Sequence, residues 1–442
     1  MSKGFDLLVA LPLSFAVAIG IVWGCSAGGN PGPSAANPSE DALPPDMSPD
    51  KVYEDQTFTD LYVDEDAGRQ DVFDPPLCPD ADPNEDRDND GWTVAQGDCN
   101  DCTELMNPGA KDYRNGVDDD CNGIVDDEPV TCDEGLLIDS DNAMDAARAL
   151  GLCRVAEYDP PLGAKTWGVL SAKYVFPDGT VKSGTPKNQG QYCVNGGGRQ
   201  GNPPHPRSHG ILPSFGSKIM PIEGSSMLAL SSGIARSGAV ETSPGGAHMC
   251  TASNSPTGFP TTNSTCPGQV LISDKTAYDG IALELEIRVP TNALAFSFEF
   301  NFFTYEYPDY VCGQHNDFFV ALMWPAPPTG TMYNNISFDS EGNAVSVNNG
   351  FLEVCNPGIY GGKQYTCEQT AAELSGTGFD GRGATGWLRT AMNLEPDVTT
   401  IRLRFAIWDM GDDGYDSTVL LDNFTWEIEN LPPGTDRPDI IK

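Results

Sequence analysis

From residue 132 to residue 430, short stretches of the chain alternate apolar with polar residues and are separated by Gly, Pro and Asn turns. The alternating apolar positions are Leu283, Leu285, Ile287 and Val289, then Phe296, Phe298, Phe300 and Phe302, then Ile401, Leu403, Phe405 and Ile407. Residues 418–426 form another such stretch. Because successive side chains of a strand point to opposite faces, each stretch has one face to bury. The pattern predicts a mainly β domain, an antiparallel two-sheet β-sandwich.

The aromatic stretch from Phe296 to Phe302 has two interpretations. Exposed aromatic rings would offer a platform for a ligand, whereas buried rings would belong to the core. A period of two is far more typical of a strand with one buried face. We therefore predict that these phenylalanines lie in the core.

One short helix is predicted at the N-terminal end of this domain, over residues 141–152. Ser140 or Asp141 is placed to cap it, because both side chains accept hydrogen bonds from free backbone amides. The residues available for packing are Met144, Ala147, Ala149 and Leu150. After residue 430, we predict only a C-terminal tail over 431–442.

Residues 1–25 are typical of an export signal, with Lys3 ahead of an apolar run over 7–23 and then Gly24 and Cys25. The end of the segment resembles a bacterial lipobox, although Trp23 is bulkier than the small residue usual there. Cleavage before Cys25 would leave this cysteine to carry a lipid that holds the chain to the membrane. The alternative is an uncleaved anchor, for which the run is short. Both interpretations predict export.

Residues 26–77 are rich in Pro, Gly, Ser, Ala and Asp, a composition that predicts a disordered tether. Of the net charge of −39, −25 falls between residues 40 and 134, where 30 acidic residues meet 5 basic ones. So anionic a chain is not expected to bind nucleic acid or anionic lipid, since both require clustered Lys and Arg. The charge favours divalent cations.

Two aspartate-rich loops lie within residues 78–131, which we predict to be a duplicated metal-binding repeat. The ligands predicted in the first loop are Asp86, Asp88, Asp90, the carbonyl of Trp92, and Asp98. Those predicted in the second loop are Asp118, Asp120, Asn122, the carbonyl of Ile124, and Asp126. Acids at alternate positions before a glycine gather hard oxygen ligands at a sharp turn, as Ca²⁺ requires.

Neither loop belongs to an EF-hand, because Gly97 and Pro129 stand where the twelfth-position Glu would be. An acidic, solvated linker is the alternative to a metal site, and the duplication favours the metal site. Zinc and copper fit poorly, since they prefer imidazole or thiolate and no His lies between residues 80 and 134. The predicted cofactor is Ca²⁺.

The chain has 13 cysteines, an odd number. If Cys25 carries lipid, twelve remain, enough for six disulfides in an oxidising compartment. The sequence does not reveal their pairing.

The loops resemble the MopE-type metal-binding motif of bacterial surface proteins at residues 97–99 (GDC), 108–110 (PGA) and 120–123 (DCNG). Many members of that family have a cysteine shortly after PGA, where this chain has Arg114, and Cys102 is present instead. The resemblance implies that Cys102 takes over the bridge to Cys121. The copper suggested by the family name is not expected, because the ligands here are oxygens.

The domain over 132–430 resembles the bacterial choice-of-anchor L domain. The matching segments are AARALGLC from Ala146, WGVLSAKYVFPDG from Trp167, SMLALSSGIAR from Ser226, FNFFTYEYPDYV from Phe300, NDFFVAL from Asn316, TGFDGRGATGWL from Thr377 and AIWDMGDDGYDSTVLLDNF from Ala406. The resemblance implies an extracellular sandwich module without an assigned activity.

Six polar residues inside these segments form a second candidate metal site: Glu306, Asn316, Asp317, Asp409, Asp416 and Asp422. Acids on neighbouring loops and strand ends can hold a structural Ca²⁺ if they converge. The alternative is that they cap turns, as Asp and Asn commonly do.

Three functional hypotheses follow. The chain lacks the HExxH and GxxxxGK[ST] motifs, and its one GxSxG match, GCSAG at residues 24–28, lies at the end of the export signal and not in a nucleophile elbow. The leading hypothesis is therefore a non-catalytic, lipid-anchored protein of the bacterial cell surface or outer membrane, stabilised by Ca²⁺, that binds an extracellular glycan or protein. A secreted glycan or peptide hydrolase with a carboxylate site, and a structural component of the envelope, are the alternatives.

Overall fold

Two antiparallel sheets form the body of the protein in a computed structural model, which describes residues 82–438 except 128–130, 162–164, 184–202, 237–248, 267, 270–272 and 328–331. The described strands are β1 (Gly168–Val175), β2 (His209–Leu212), β3 (Met227–Ser231), β4 (Ala252–Asn254), β5 (Thr276–Arg288), β6 (Ala295–Thr304), β7 (Phe318–Trp324), β8 (Val345–Ser346), β9 (Gly358–Tyr360), β10 (Lys363–Tyr365), β11 (Gly383–Asn393), β12 (Thr400–Met410), β13 (Ser417–Glu427) and β14 (Gly434–Asp436). The four strands predicted from alternation are β5, β6, β12 and β13.

The first sheet has the strand order β1-β5-β12-β7-β8, with β4 also paired to β5. The second has the order β14-β11-β6-β13-β3-β2, and β9 pairs with β10 in a separate hairpin. The long strands keep apolar partners in register, such as Leu285 opposite Leu403 in the first sheet and Phe300 opposite Leu421 in the second. Cross-strand pairs of this kind stabilise each sheet.

The inner faces of the two sheets meet in one hydrophobic core. Phe298 on β6 packs edge-on against Phe405 on β12, with ring centroids 4.9 Å apart. Phe300 on β6 lies 4.9 Å from Phe319 on β7. These rings belong to different sheets and are fully buried, which confirms the predicted sandwich and the assignment of the phenylalanine stripe to the core.

The helix α1 (Ala143–Ala149) is shorter than predicted, and its cap differs. The N-cap is Asn142, whose side chain accepts a hydrogen bond from the amide of Met144, and not Ser140 or Asp141. Ser140 instead donates to the carboxylate of Asp145 at 2.6 Å. Ala146 and Ala147 are fully buried against the sandwich core.

The second sheet continues past residue 430, into the segment predicted as a tail. Strand β14 pairs with β11, placing Thr435 opposite Thr390. The Thr435 hydroxyl also accepts a hydrogen bond from the amide of Phe338 at 3.2 Å. The predicted boundary at 430 is therefore corrected, because these bonds tie residues 434–436 into the sheet.

Within the part of the chain that the structure describes, no helix has both the length and the apolar character needed to cross a membrane. The segments predicted as export signal (1–25, with Cys25) and tether (26–77) lie outside the described residues.

Candidate metal centre

The first aspartate-rich loop turns sharply around the carboxylate of Asp86. This carboxylate accepts hydrogen bonds from the amides of Asn89 and Gly91, at 2.8 and 3.0 Å. Asn89 and Gly91 both have left-handed backbone conformations, with φ of 65° and 94°. Glycine reaches this region without the clash of a side chain, which explains its position after the acids.

The second loop repeats this geometry. Asp118 accepts hydrogen bonds from the amides of Asn122 and Gly123, at 3.1 and 2.8 Å. Cys121 and Gly123 have φ of 58° and 91°, three and five residues after Asp118, at the same offsets as in the first loop. The duplication read from the sequence is therefore also a duplication of backbone conformation.

Asp88 is the centre of the first loop. Its carboxylate belongs to two groups of acids, one with Asp86 and Asp90 and one with Asp98 and Asp101, and the ligand atoms within each group lie within 4.8 Å of one another. Asp88 thus lies close to each of the other three predicted carboxylates of this loop, Asp86, Asp90 and Asp98. Asp101 was missed by the sequence reasoning, although it follows Asp98 by only three residues.

The Oδ2 atoms of Asp88, Asp90 and Asp98 are buried without a hydrogen bond of normal geometry among the described residues, although the Thr103 amide approaches Asp88 and the Asn107 side chain approaches Asp90. The Oδ1 atom of each carboxylate accepts from a backbone amide two residues on, at 3.2, 2.8 and 2.8 Å. Each carboxylate therefore satisfies one oxygen through its own turn and leaves the other for a different partner. A buried oxygen without a donor is unfavourable unless a cation or proton reaches it.

The electrostatics of the first loop also favour a bound cation or proton. Burial, followed by repulsion from neighbouring carboxylates, raises the pKa of Asp90 to about 7 and that of Asp98 to about 6. Burial also raises the pKa of Asp88. A bound cation would oppose both effects, because it stabilises the ionised form of each acid.

The second loop gathers a different set of acids from the one predicted. Asp112, Asp120 and Asp127 have ligand atoms within 4.8 Å of one another. Asp118 and Asp126 are not in this group; Asp126 accepts from the amides of Asn115 and Gly116, both at 3.0 Å. These bonds leave Asp118 and Asp126 in the role of turn caps.

Asp120 also pairs with a cation that the chain supplies. The guanidinium of Arg154 lies 2.9 Å from Asp120 Oδ2 and stacks over the ring of Trp167, 5.1 Å from its centroid. This ion pair already balances one negative charge of the second group. The first loop is therefore the stronger candidate metal centre.

The predicted carbonyl ligands remain predictions. The amide of Trp92 donates to Asp90, and the amide of Ile124 donates to Asn122, both at 2.8 Å. The Asn122 side chain also donates to Asp127 at 3.1 Å. These bonds place Trp92, Asn122 and Ile124 at the turns without testing their coordination of a metal.

The predicted bridge between Cys102 and Cys121 is wrong. Cys121 is bonded to Cys99, with 5.5 Å between the two Cα atoms, and Cys102 forms a different disulfide. The Cys99 amide also approaches Cys121 Sγ at 3.2 Å, because the two loops lie side by side. The bridge ties the end of the first loop to the middle of the second.

The repeat is docked on the sandwich through the turn between β5 and β6. Thr291 donates its amide to the carbonyl of Gly109 at 3.0 Å and its hydroxyl to Asn107 at 2.7 Å. Asn292 accepts from the amide of Lys111 and donates to its carbonyl, both at 2.9 Å. These hydrogen bonds hold the repeat against the sandwich, so a change in the conformation of the repeat would also affect the surface of the sandwich.

Four of the six residues of the second candidate site, Glu306, Asp317, Asp409 and Asp416, neighbour one another in series at one end of the sandwich, where both sheets contribute, and Asn316 is adjacent to Asp317 in sequence. Glu306, Asn316, Asp317, Asp409 and Asp416 are all at most 2% exposed. The amide of Asp317 donates to Glu306 at 2.9 Å, and the Asp409 carboxylate is repelled by those of Asp317 and Asp416.

Asp422 is elsewhere. Its neighbour Leu421 faces the core between the sheets, so Asp422 faces the opposite side of the second sheet. There it accepts from the amides of Ile222 and Asn423, at 2.6 and 2.7 Å. Burial raises its pKa to about 7. The structure therefore removes Asp422 from the second candidate site.

The residues missed in the repeat are Asp101, Asp112 and Asp127. Asp112 comes two residues after the PGA tripeptide and accepts from the amides of Asp119 and Asp127, at 3.0 and 2.8 Å. Asp127 is adjacent to the predicted Asp126. The sequence signals the acids themselves, but it does not tell which of two adjacent side chains points inward.

Two family models match the chain. Residues 217–426 match the model of the Choice-of-anchor L domain. Residues 98–127 match the MopE-type model whose description is "Putative metal-binding motif". No curated protein and no solved structure matches the chain. Both resemblances noted in the sequence are thereby confirmed, and the triplet Asp86, Asp88 and Asp90 lies just before the matched motif.

Proposed function

We propose, on the premise that this chain carries a choice-of-anchor L domain and a metal-binding motif, that it is a non-catalytic cell-surface protein. In this proposal the aspartate-rich repeat binds Ca²⁺, and the sandwich with its docked repeat binds an extracellular glycan or protein. Neither matched description names a catalytic activity, which supports the non-catalytic role.

The observation that carries the metal role is the set of buried oxygens around Asp88. The Oδ2 atoms of Asp88, Asp90 and Asp98 have no hydrogen bond of normal geometry among the described residues, and burial together with repulsion from neighbouring carboxylates disfavours their charge. They belong to two acid groups that share Asp88, and in each group the ligand atoms lie close enough for one cation.

The choice of Ca²⁺ over copper or zinc rests on the donor set. The three acidic groups offer only carboxylate oxygens, which suit Ca²⁺ and Mg²⁺. The cysteines of the two loops, Cys99, Cys102 and Cys121, are all in disulfides and so are not thiolate ligands. Several acids on irregular turns favour Ca²⁺, because Mg²⁺ requires a smaller, more regular shell.

A cavity of about 470 Å³ between the first loop and the sandwich supports a link between metal and ligand. Its lining includes Asp90 and Trp92 from the loop and Trp167 and Arg288 from the sandwich. Such a volume suits a small ligand or one sugar unit of a glycan. Calcium would hold the loop wall in place, so ligand binding should depend on calcium.

Asp88→Asn is expected to weaken calcium binding by the repeat at least tenfold. The change removes one charge from both carboxylate groups of the first loop while keeping the shape of the side chain and its amide contact. Extracellular calcium modules have Kd values of roughly 10⁻⁴ to 10⁻³ M. Isothermal titration calorimetry in this concentration range, on the full-length chain and on the variant, measures the two affinities.

Asp397→Asn is the matched control, because it removes the same charge from an exposed turn between β11 and β12. It should bind calcium like the unaltered chain. Equal affinities in Asp88→Asn and Asp397→Asn would refute the first loop as a calcium site, and tighter binding of Cu²⁺ than of Ca²⁺ would refute the choice of ion.

The binding role is tested by a screen of glycans and extracellular proteins in millimolar Ca²⁺ and in EDTA. A ligand that is retained in calcium and lost in EDTA or with Asp88→Asn supports the proposal. Hydrolysis of a glycan or peptide would overturn the non-catalytic role. The absence of any ligand would favour a structural envelope component.

We also propose that a lipid on Cys25 anchors the chain at the outer membrane or cell surface. Cys25→Ser is then expected to move the chain from the membrane fraction to the soluble exterior fraction, because the lipid attachment atom is lost. Immunoblots of both fractions measure this. A variant that stays in the membrane fraction would favour an uncleaved anchor.

A further inference from the structure

A buried group of acids lies at one end of the sandwich, where both sheets contribute residues. Asn316 and Asp317 come directly before β7 and Asp409 lies on β12, both in the first sheet. Glu306 follows β6, and Asp416 comes directly before β13, both in the second sheet. None of these residues belongs to the aspartate-rich repeat.

Asp409 occupies a position that the strand pattern reserves for an apolar side chain. Leu403, Phe405 and Ile407 on β12 all face the core between the sheets, and Asp409 continues this series at the same period of two. It is fully buried. A charged residue at the end of an apolar stripe is unfavourable unless it has a partner.

Hydrogen bonds within the group satisfy only some of its oxygens. Asp317 Oδ2 accepts from the hydroxyl of Ser417 at 2.6 Å, and Asp317 Oδ1 accepts from the amide of Met410 at 3.3 Å. Glu306 Oε2 accepts from the amide of Asp317 at 2.9 Å. These bonds fix Asp317 between the sheets, whereas Asp409 approaches the Asp317 carboxyl and the Ser232 hydroxyl only outside normal hydrogen-bond geometry.

Asp409 and Asn316 lack hydrogen-bond partners of normal geometry in the described structure. Both carboxylate oxygens of Asp409, and both polar atoms of the Asn316 amide, are buried without one. No described Lys, Arg or His forms an ion pair with Glu306, Asp317 or Asp409. The unsatisfied atoms are thus two acidic oxygens and an amide, with no protein cation beside them.

The carboxylates cannot satisfy one another while they are ionised, because each can only accept hydrogen bonds. Burial, with repulsion from Asp412, raises the pKa of Asp317 to about 7. Burial and repulsion from neighbouring carboxylates, Asp317 first among them, raise the pKa values of Glu306 and Asp409 well above their usual range. The Ser232 hydroxyl opposes this effect at Asp409 only weakly. Either protons or a cation must therefore neutralise the group.

We propose that a single Ca²⁺ binds this group through Glu306, Asp317 and Asp409 with the amide oxygen of Asn316, and so links the two sheets. The acids and the amide supply the hard oxygen donors that Ca²⁺ takes. Asp416 adds negative charge beside Asp409. The ion acts as an inter-sheet clamp, distinct from the sites in the repeat.

The test counts calcium bound per full-length chain by equilibrium dialysis with ⁴⁵Ca²⁺. Asp409→Asn is expected to bind one ion fewer than the unaltered chain. Asp422→Asn is the matched control, since Asp422 is also buried on a long strand but faces the other side of the second sheet. It should keep the full number of ions.

The same comparison in the Asp88→Asn background separates this site from the repeat. Loss of one ion on adding Asp409→Asn supports the clamp whether or not the repeat binds calcium. An unchanged count in both backgrounds overturns it.

Thermal unfolding supplies a second measurement that does not depend on counting. Asp409→Asn removes a buried charge, so the variant should fold in EDTA with a Tm no lower than that of the unaltered chain, while the increase in Tm on adding calcium should shrink. A calcium-induced increase equal to that of the unaltered chain would show that protons, not Ca²⁺, neutralise the group.

Discussion

Replacing Phe298 with alanine is expected to lower the free energy of unfolding of the sandwich by about 3–5 kcal/mol. Phe298 is fully buried, and its ring packs edge-on against Phe405 of the facing sheet, 4.9 Å away, and near Phe300, 6.3 Å away. Removal of the ring leaves a cavity between two strands that are both held in long pairings, so the sheets cannot close the gap. Urea unfolding monitored by circular dichroism measures the loss.

Ile359→Ala is the control for this prediction. Ile359 lies on the β9–β10 hairpin and is 71% exposed, so its truncation should change the free energy of unfolding by no more than about 0.5 kcal/mol. A loss below about 1 kcal/mol for Phe298→Ala would contradict the burial of the stripe and restore the ligand platform as its role.

The long strands could be predicted because apolar residues recur at every second position along each of them. Leu283 to Ile287 and Phe296 to Phe302 repeat every second residue, a signal that needs no knowledge of distant partners. The order of strands depends on such partners. Strand β14 shows the limit, since residues 434–436 are too few for a pattern and pair with β11 through contacts 45 residues away in sequence.

The helix cap illustrates a local ambiguity. Ser140, Asp141 and Asn142 are three consecutive residues that can all cap a helix, and composition alone does not choose among them. In the structure Ser140 bonds to Asp145, which leaves Asn142 to accept from Met144. Side-chain contacts therefore decide which residue is the N-cap, and residue propensities for the N-cap position do not include such contacts.

In the metal-binding repeat, the acids that lie within a single turn could be predicted from the sequence. Asp86, Asp88 and Asp90 lie in one turn, and the structure keeps them together. The second group draws Asp112 and Asp127 from either side of Asp120, fifteen residues apart in sequence, so it forms only when the chain folds back on itself. No linear spacing carries that information.

The Cys99–Cys121 disulfide could not be predicted from the sequence either. Cys99 and Cys102 lie three residues apart, and both precede Cys121 at a similar distance. What separates them is the turn at Asn100, whose amide bonds to Asp98 at 2.8 Å and whose carbonyl accepts from Cys102 at 2.6 Å. The chain reverses there, so Cys99 alone faces the second loop.

Replacing Cys99 and Cys121 together with alanine is expected to destabilise the repeat by about 3 kcal/mol and to weaken its calcium binding. The bridge closes a segment with a sequence separation of 22, and loops of this length lose about that much unfolded-state entropy on cross-linking. Without the bridge, calcium must order both loops itself, and part of its binding energy is used for this ordering. Limited proteolysis and calcium calorimetry on the full-length chain report the two effects.

The matched control is the alanine pair at Cys355 and Cys367, which close a segment with a sequence separation of 12 inside the sandwich domain. That pair should lower the stability of the sandwich and leave the calcium affinity of the repeat unchanged, because neither cysteine contacts the aspartate loops in the described structure. If both pairs weaken calcium binding equally, the effect comes from general loosening of the chain. If neither does, the acids around Asp88 are held by their own turns, and the bridge does not preorganise the metal centre.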